Sequence, residues 1–160
     1  MTELHALPHL EILLRLFTAF VCGAAIGLNR EFHRKPAGFR TFGLIAIGSA
    51  LVVIVMEHEF GAGPDAVSRV IQGVLTGVGF LGAGVIFRRA PSKVAGLTTA
   101  AAVWLTAGLG MAAGAGQYFV ALTAAGMGLL LLLLGGPFER RLFPGKKKPR
   151  PGTPEDEPPP

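Results

Sequence analysis

Residues 94–134, VAGLTTAAAVWLTAGLGMAAGAGQYFVALTAAGMGLLLLLL, contain not one Asp, Glu, Lys or Arg. A helix rising about 1.5 Å per residue crosses the roughly 30 Å hydrocarbon core of a bilayer with about 20 residues. The stretch is long enough to cross twice, and the uncharged link from Gly114 to Tyr118 marks where it turns. Cut there, it yields candidate spans at residues 94–113 and 119–134. Toward the N-terminus, charges and turn residues delimit three more, at residues 10–28, 41–56 and 70–87. As helices the five run roughly 24–30 Å each, enough for a bilayer core when flanking side chains snorkel.

Composition agrees with the spans. The chain has 160 residues, room for one domain, and is 51% hydrophobic and 16% charged with a mean hydropathy of +0.52. A soluble globule of that size cannot bury five uncharged stretches at once. Soluble enzyme classes are excluded. The expected fold class is an all-α membrane protein, a bundle of about five transmembrane helices over residues 1–136.

Charge then orients the bundle. Between spans one and two lie Arg30, Arg34, Lys35 and Arg40; between three and four lie Arg88, Arg89 and Lys93. After the fifth come Arg140, Arg141, Lys146, Lys147, Lys148 and Arg150, so thirteen of the fifteen basic residues fall on one side. The other side carries Glu3, Glu57, Glu59 and Asp65, with Arg69. The positive-inside rule predicts an N-terminus outside and a C-terminus in the cytoplasm, with an odd number of spans. No Lys or Arg precedes the first apolar run, so that run is expected to remain as a span rather than be removed as a signal peptide. Residues 137–160 are expected to form a basic, Pro-rich, disordered cytoplasmic tail, too poor in apolar surface to fold. The net charge of +5 reads as topology, and nucleic acid is not an expected partner.

Gly77, Gly79 and Gly82 spell GxGxxG, but the dinucleotide fingerprint needs a preceding strand, whereas these glycines sit inside an apolar span. They read instead as helix packing. Small residues four apart let membrane helices approach closely, as at Gly23 and Gly27, Gly73 and Gly77, and Gly110 and Gly114. Gly84 and Gly96 join the same group, and the glycine-rich run 77–84 also leaves room for a kink or a narrow path beside the third span. Glu11 and Arg15 share one face of the first span and read as an orientation anchor. The membrane threonines are expected to bond back to their own helices, except Thr98 and Thr99, which follow Gly96 where a bend would free their hydroxyls.

Outside, Glu57, Glu59 and Asp65 are candidate ligands for a hard cation such as Mg²⁺, which favours carboxylate oxygens. The lone Cys22 rules out an intramolecular disulfide. No metalloprotease spacing or nucleophilic triad occurs, so the chain reads as non-enzymatic and without a cofactor.

Four blocks make the chain resemble bacterial inner-membrane proteins of the MgtC/SapB type. They are Gly27-Leu28-Asn29-Arg30-Glu31, Pro36-Ala37-Gly38-Phe39-Arg40-Thr41, Gly77-Val78-Gly79-Phe80-Leu81-Gly82-Ala83-Gly84-Val85-Ile86, and Gly96-Leu97-Thr98-Thr99-Ala100-Ala101 with Trp104. The likeness covers residues 10–134, in the short, SapB-like form that lacks a soluble C-terminal domain. It implies a five-span protein of the bacterial inner membrane tied to magnesium limitation, which modulates other membrane proteins such as ATP synthase or a cation transporter. It also implies functional roles for Arg30, Glu31, Arg40, Thr41, Asp65, Arg69, Thr98 and Thr99. Asn29 departs from the Glu usual beside the arginine, and Asp65 to Arg69 is one residue longer than the common Asp-x-x-Arg. Two functions follow as expectations: a non-enzymatic regulator of another membrane protein in magnesium homeostasis, or a Mg²⁺ or small-solute transporter acting as a homo-oligomer.

Overall fold

The computed structural model describes residues 3–58, 64–90 and 93–142. Five helices are long and apolar enough to cross a bilayer. They are α1 (Glu3–Phe32), α2 (Phe39–His58), α3 (Pro64–Gly84), α4 (Leu97–Gly114) and α5 (Tyr118–Leu142).

Between α3 and α4 lies an element the sequence reading did not contain, an antiparallel pair of short strands, β1 (Phe87–Ala90) and β2 (Lys93–Ala95). Phe87 pairs with Ala95 and Arg88 with Val94, and an irregularity follows before Ala90 meets Lys93. Phe87, Val94 and Ala95, assigned to spans by hydropathy, are therefore ladder residues. The third span ends earlier than expected and the fourth begins later. Gly96 makes the exit from β2 possible: its φ of 96° is left-handed, and a Cβ there would collide with the Val85 carbonyl. The fifth helix runs past residue 134 to Leu142, through Gly135, Gly136 and Pro137. Of the expected tail, residues 143–160 lie outside the described residues.

The interior is built from small side chains and the surface from large ones. Ala19, Ala46, Ala50, Ala107, Ala113 and Ala121 are fully buried, whereas Phe17, Leu44, Phe80, Phe119 and Leu131 are more than 60% exposed. That inversion suits lipid, where burial of large apolar groups brings helices no advantage and close backbone contact does. Helix α2 runs between α1 and α4, and glycines face it from both sides. A Cβ on Gly23 would lie 2.7 Å from the Ala46 Cβ, one on Gly27 2.8 Å from the Phe39 Cα, and one on Gly114 2.6 Å from the Ala50 carbonyl. A Cβ on Gly110 would run into the Ala46 carbonyl. Phe42, Ile26, Leu109, Val103 and Cys22 fill the spaces between these contacts.

Helices α3 and α5 are peripheral. Only 11% of each span is buried, against 50% of α4 and 44% of α2. Gly82 packs on Ala100 of α4, while Gly73, Gly77, Gly79 and Gly84 have open space where a Cβ would stand. Among the described residues, nothing lies within 4 Å of a Cβ built on these four glycines of α3.

Candidate functional site

The loop joining α1 to α2 is shaped by its own hydrogen bonds. The Lys35 N–H donates to the Arg30 carbonyl at 3.0 Å and the Arg34 N–H to the Glu31 carbonyl at 2.9 Å, which closes α1 in a Schellman motif. Arg34 takes the left-handed position at φ 50°, a conformation costing a residue with a Cβ roughly 1 kcal/mol. The chain then turns over buried Ala37 and enters α2 at Gly38. Glu31 reaches across the turn, and its Oε2 accepts the Phe39 N–H at 2.9 Å. A side chain at the end of one helix thus caps the start of the next, where an anion also meets the positive end of the helix dipole. Gly38 allows that approach, since a Cβ there would sit 2.7 Å from the same oxygen. Phe20 of α1 and Phe39 of α2 meet edge to face at 5.7 Å and fix the corner.

The result is a recess of about 420 Å³ lined by Glu31, Lys35, Gly38, Phe39, Arg40 and Thr41. Of the residues singled out in the sequence, Glu31, Arg40 and Thr41 are brought together here. Arg30, adjacent to Glu31, points the other way and is 4% exposed. Its Nη2 and Nε donate to the Asn29 Oδ1 at 2.7 and 3.2 Å, and no carboxylate lies within ion-pair distance of it among the described residues. The buried cation is matched to a neutral amide.

The opposite end of the bundle is tied by Arg15, which is 13% exposed at its side chain. Its Nε donates to Glu11 Oε1 at 3.0 Å, and its Nη1 to Glu57 Oε2 at 2.5 Å and to the Gly114 carbonyl at 2.9 Å. The Tyr118 hydroxyl donates to Glu11 Oε1 at 2.8 Å. One guanidinium therefore joins α1, α2 and the end of α4, with α5 attached through Tyr118. Glu57, a candidate cation ligand, is committed to Arg15. Glu59 lies outside the described residues, and Asp65 is exposed in the first turn of α3. Among the described residues no three His, Cys, Asp or Glu side chains are grouped to hold a metal ion.

Asp65 and Arg69 stand one turn apart on the outward face of α3, and neither forms an ion pair among the described residues. Thr98 and Thr99 part company at the start of α4: Thr98 is exposed and Thr99 is 1% exposed. Three participants escaped the sequence reading. Asn29 entered only as a departure from a family pattern, Tyr118 as the edge of a link, and Glu57 as a candidate cation ligand rather than a partner of Arg15. The alternating topology held a signal for two of them, because it places Glu57 and Tyr118 at the same membrane surface as Glu11 and Arg15.

The model of the MgtC family matches residues 16–141. The chain is 48% identical over 129 residues to Protein SrpB of Synechococcus elongatus, covering 74% of this chain and 71% of that protein. It is 43% identical to an Escherichia coli protein named "Putative magnesium transporter YhiD", over 76% of this chain and 59% of that one. It is 40% identical to Protein MgtC of Salmonella typhimurium over 70% of this chain and 47% of that protein, so it spans less than two thirds of both. No solved structure matches. With five bilayer-spanning helices and these relatives, the chain is a multi-pass protein of the inner membrane, and it belongs to the MgtC family.

Proposed function

We propose that this chain is a non-enzymatic membrane protein that modulates another membrane protein in magnesium homeostasis or adaptation to low Mg²⁺. The observation that carries the reading is the closed middle of the bundle. Where α1, α2 and α4 meet, the contact surface is glycine, alanine and aliphatic side chains packed against backbone, while charged side chains gather toward the ends. A bundle sealed along its centre, with a charged and shaped recess at one end, acts by contact. Arg40, Thr41, Glu31 and Lys35 present that contact surface, Arg30 and Asn29 stiffen the helix behind it, and Thr98 offers a hydroxyl at the start of α4. The clustering of basic residues supports placing the recess in the cytoplasm and the Arg15 end outside. ATP synthase and a cation transporter are the partner classes, residues 1–136 act as the membrane domain, and residues 137–160 as a cytoplasmic tail.

The test pairs two measurements. Affinity capture in mild detergent recovers a membrane partner at low Mg²⁺ and loses it with Arg40→Ala and Thr41→Ala, while proteoliposomes holding the purified chain show no saturable Mg²⁺ flux. Saturable flux that disappears with Asp65→Asn overturns the proposal.

A second reading, transport by an assembly of several copies, draws support from the name of YhiD and from the polar residues on the outward face of α3. Under it, Asp65→Asn, Arg69→Ala and Thr98→Val together abolish flux.

A further inference from the structure

Helix α3 has an exposed face that is mostly polar or small, with Phe80 and Leu81 its large exposed apolar side chains. Its apolar positions Val67, Val70, Ile71, Val74 and Val78 lie toward the bundle, and Val78 is buried. Its exposed positions include Asp65, Arg69, Gln72, Thr76, Gly79 and Ala83. Those six residues are spaced four, three, four, three and four apart, the repeat of a coiled-coil seam that follows one helical face. Gln72 lies about 12 Å along α3 from its start and nearly one turn further into the span than Arg69. Its side-chain amide has no hydrogen-bond partner among the described residues, while the Gln72 main-chain carbonyl accepts the Thr76 hydroxyl at 2.7 Å. Polar side chains at membrane depth face a bundle interior, a cavity or a partner, because an unpaired amide in hydrocarbon is costly.

We propose that this face is covered by a second copy of the chain, α3 against α3, about a two-fold axis along the membrane normal. Copies inserted the same way put the two helices parallel, so each seam residue meets its own counterpart. The face is built for that. Gln72 carries a donor and an acceptor and pairs with itself across the axis. Thr76, Gly79 and Ala83 are small enough for close backbone approach. At the watery end the like charges that meet across the axis are offset by opposite ones a turn away, because Asp65 of each copy comes one turn from Arg69 of the other. The α1, α2 and α4 contacts stay as they are, and the pairing is independent of which protein the chain modulates.

The experiment uses the full chain in native membranes with Cys22→Ala, which removes its one thiol. Oxidation crosslinks Gln72→Cys and Thr76→Cys into dimers, and leaves Leu75→Cys on the bundle side and Leu131→Cys on α5 monomeric. A complementation pair separates contact between copies from contact within one. Asp65→Arg and Arg69→Asp each weaken capture of a differently tagged copy of the same variant, and the two variants co-expressed capture one another. Gln72→Leu, losing two interhelical hydrogen bonds, weakens self-capture about sevenfold. Crosslinks that ignore the seam, seam cysteines joined to a different protein, or a mixed pair no better than either variant alone overturn the proposal.

Discussion

Alanine at Gly110 and alanine at Gly108 change stability in opposite directions, though the two residues are neighbours on one helix. At Gly110 the new Cβ would lie 2.9 Å from both the Cα and the carbonyl carbon of Ala46 and would collide with the carbonyl oxygen. Carbon atoms in contact rest about 3.5–4.0 Å apart, so α4 must withdraw from α2 by roughly 0.5–1 Å, which forfeits about a quarter to a half of the attraction at each contact along the seam. Overpacking of this kind costs about 1–3 kcal/mol, against about 0.5–1 kcal/mol gained by replacing glycine with alanine in a helix. At Gly108 nothing lies within 4 Å of the added atom, so only the gain remains. The gap between the variants is the clash itself, about 1–3 kcal/mol, and at roughly 3 °C per kcal/mol for a chain of this size it separates their melting temperatures by about 3–9 °C. Size-exclusion profiles of heated fluorescent fusions in mild detergent read that gap. Equal shifts for the two variants would refute the close contact of α4 with α2.

Three further changes test the two ends. Glu31→Ala removes the acceptor of the Phe39 N–H and costs about 0.5–2 kcal/mol, seen as faster hydrogen exchange at the start of α2 with α4 unchanged. Arg15→Ala frees the Gly114 carbonyl and both Glu11 and Glu57 from the guanidinium, and lowers the melting temperature more than Tyr118→Phe, which removes one hydrogen bond worth about 1 kcal/mol. Asn29→Leu strips the buried Arg30 of its amide partner and costs about 1.5–3 kcal/mol, while Asn29→Glu, which supplies a carboxylate, retains or raises the melting temperature.

The five helices were legible because a bilayer imposes length and apolarity on every span, and both are visible residue by residue. The β1–β2 pair was not: Val94 and Ala95 are apolar in a strand or a helix, and only the backbone shows that Gly96, not Val94, opens α4. The glycine spacings at residues 23 and 27 and at 110 and 114 pointed to close contacts, which α2 fills. The same spacing at residues 73 and 77 meets nothing within 4 Å among the described residues, and spacing cannot name the neighbour. For the site, the motif Arg30-Glu31 read as one unit. The end of α1 divides it, sending Glu31 over the turn to α2 and Arg30 into the bundle, because adjacent residues on a helix lie about 100° apart.

That division assigns different work to different parts of the fold. Helices α1, α2 and α4 are joined by backbone-close glycine contacts, by Arg15 at one end and by the Glu31 cap at the other, so they change shape only at the expense of several contacts at once. Helix α3 shares few contacts with that core, and it enters α4 through a hairpin whose exit depends on one left-handed glycine. The recess of Glu31, Arg40 and Thr41 belongs to the core and holds its form. Under the proposed function, a partner docking there meets a surface set by the α1–α2 corner rather than by α3.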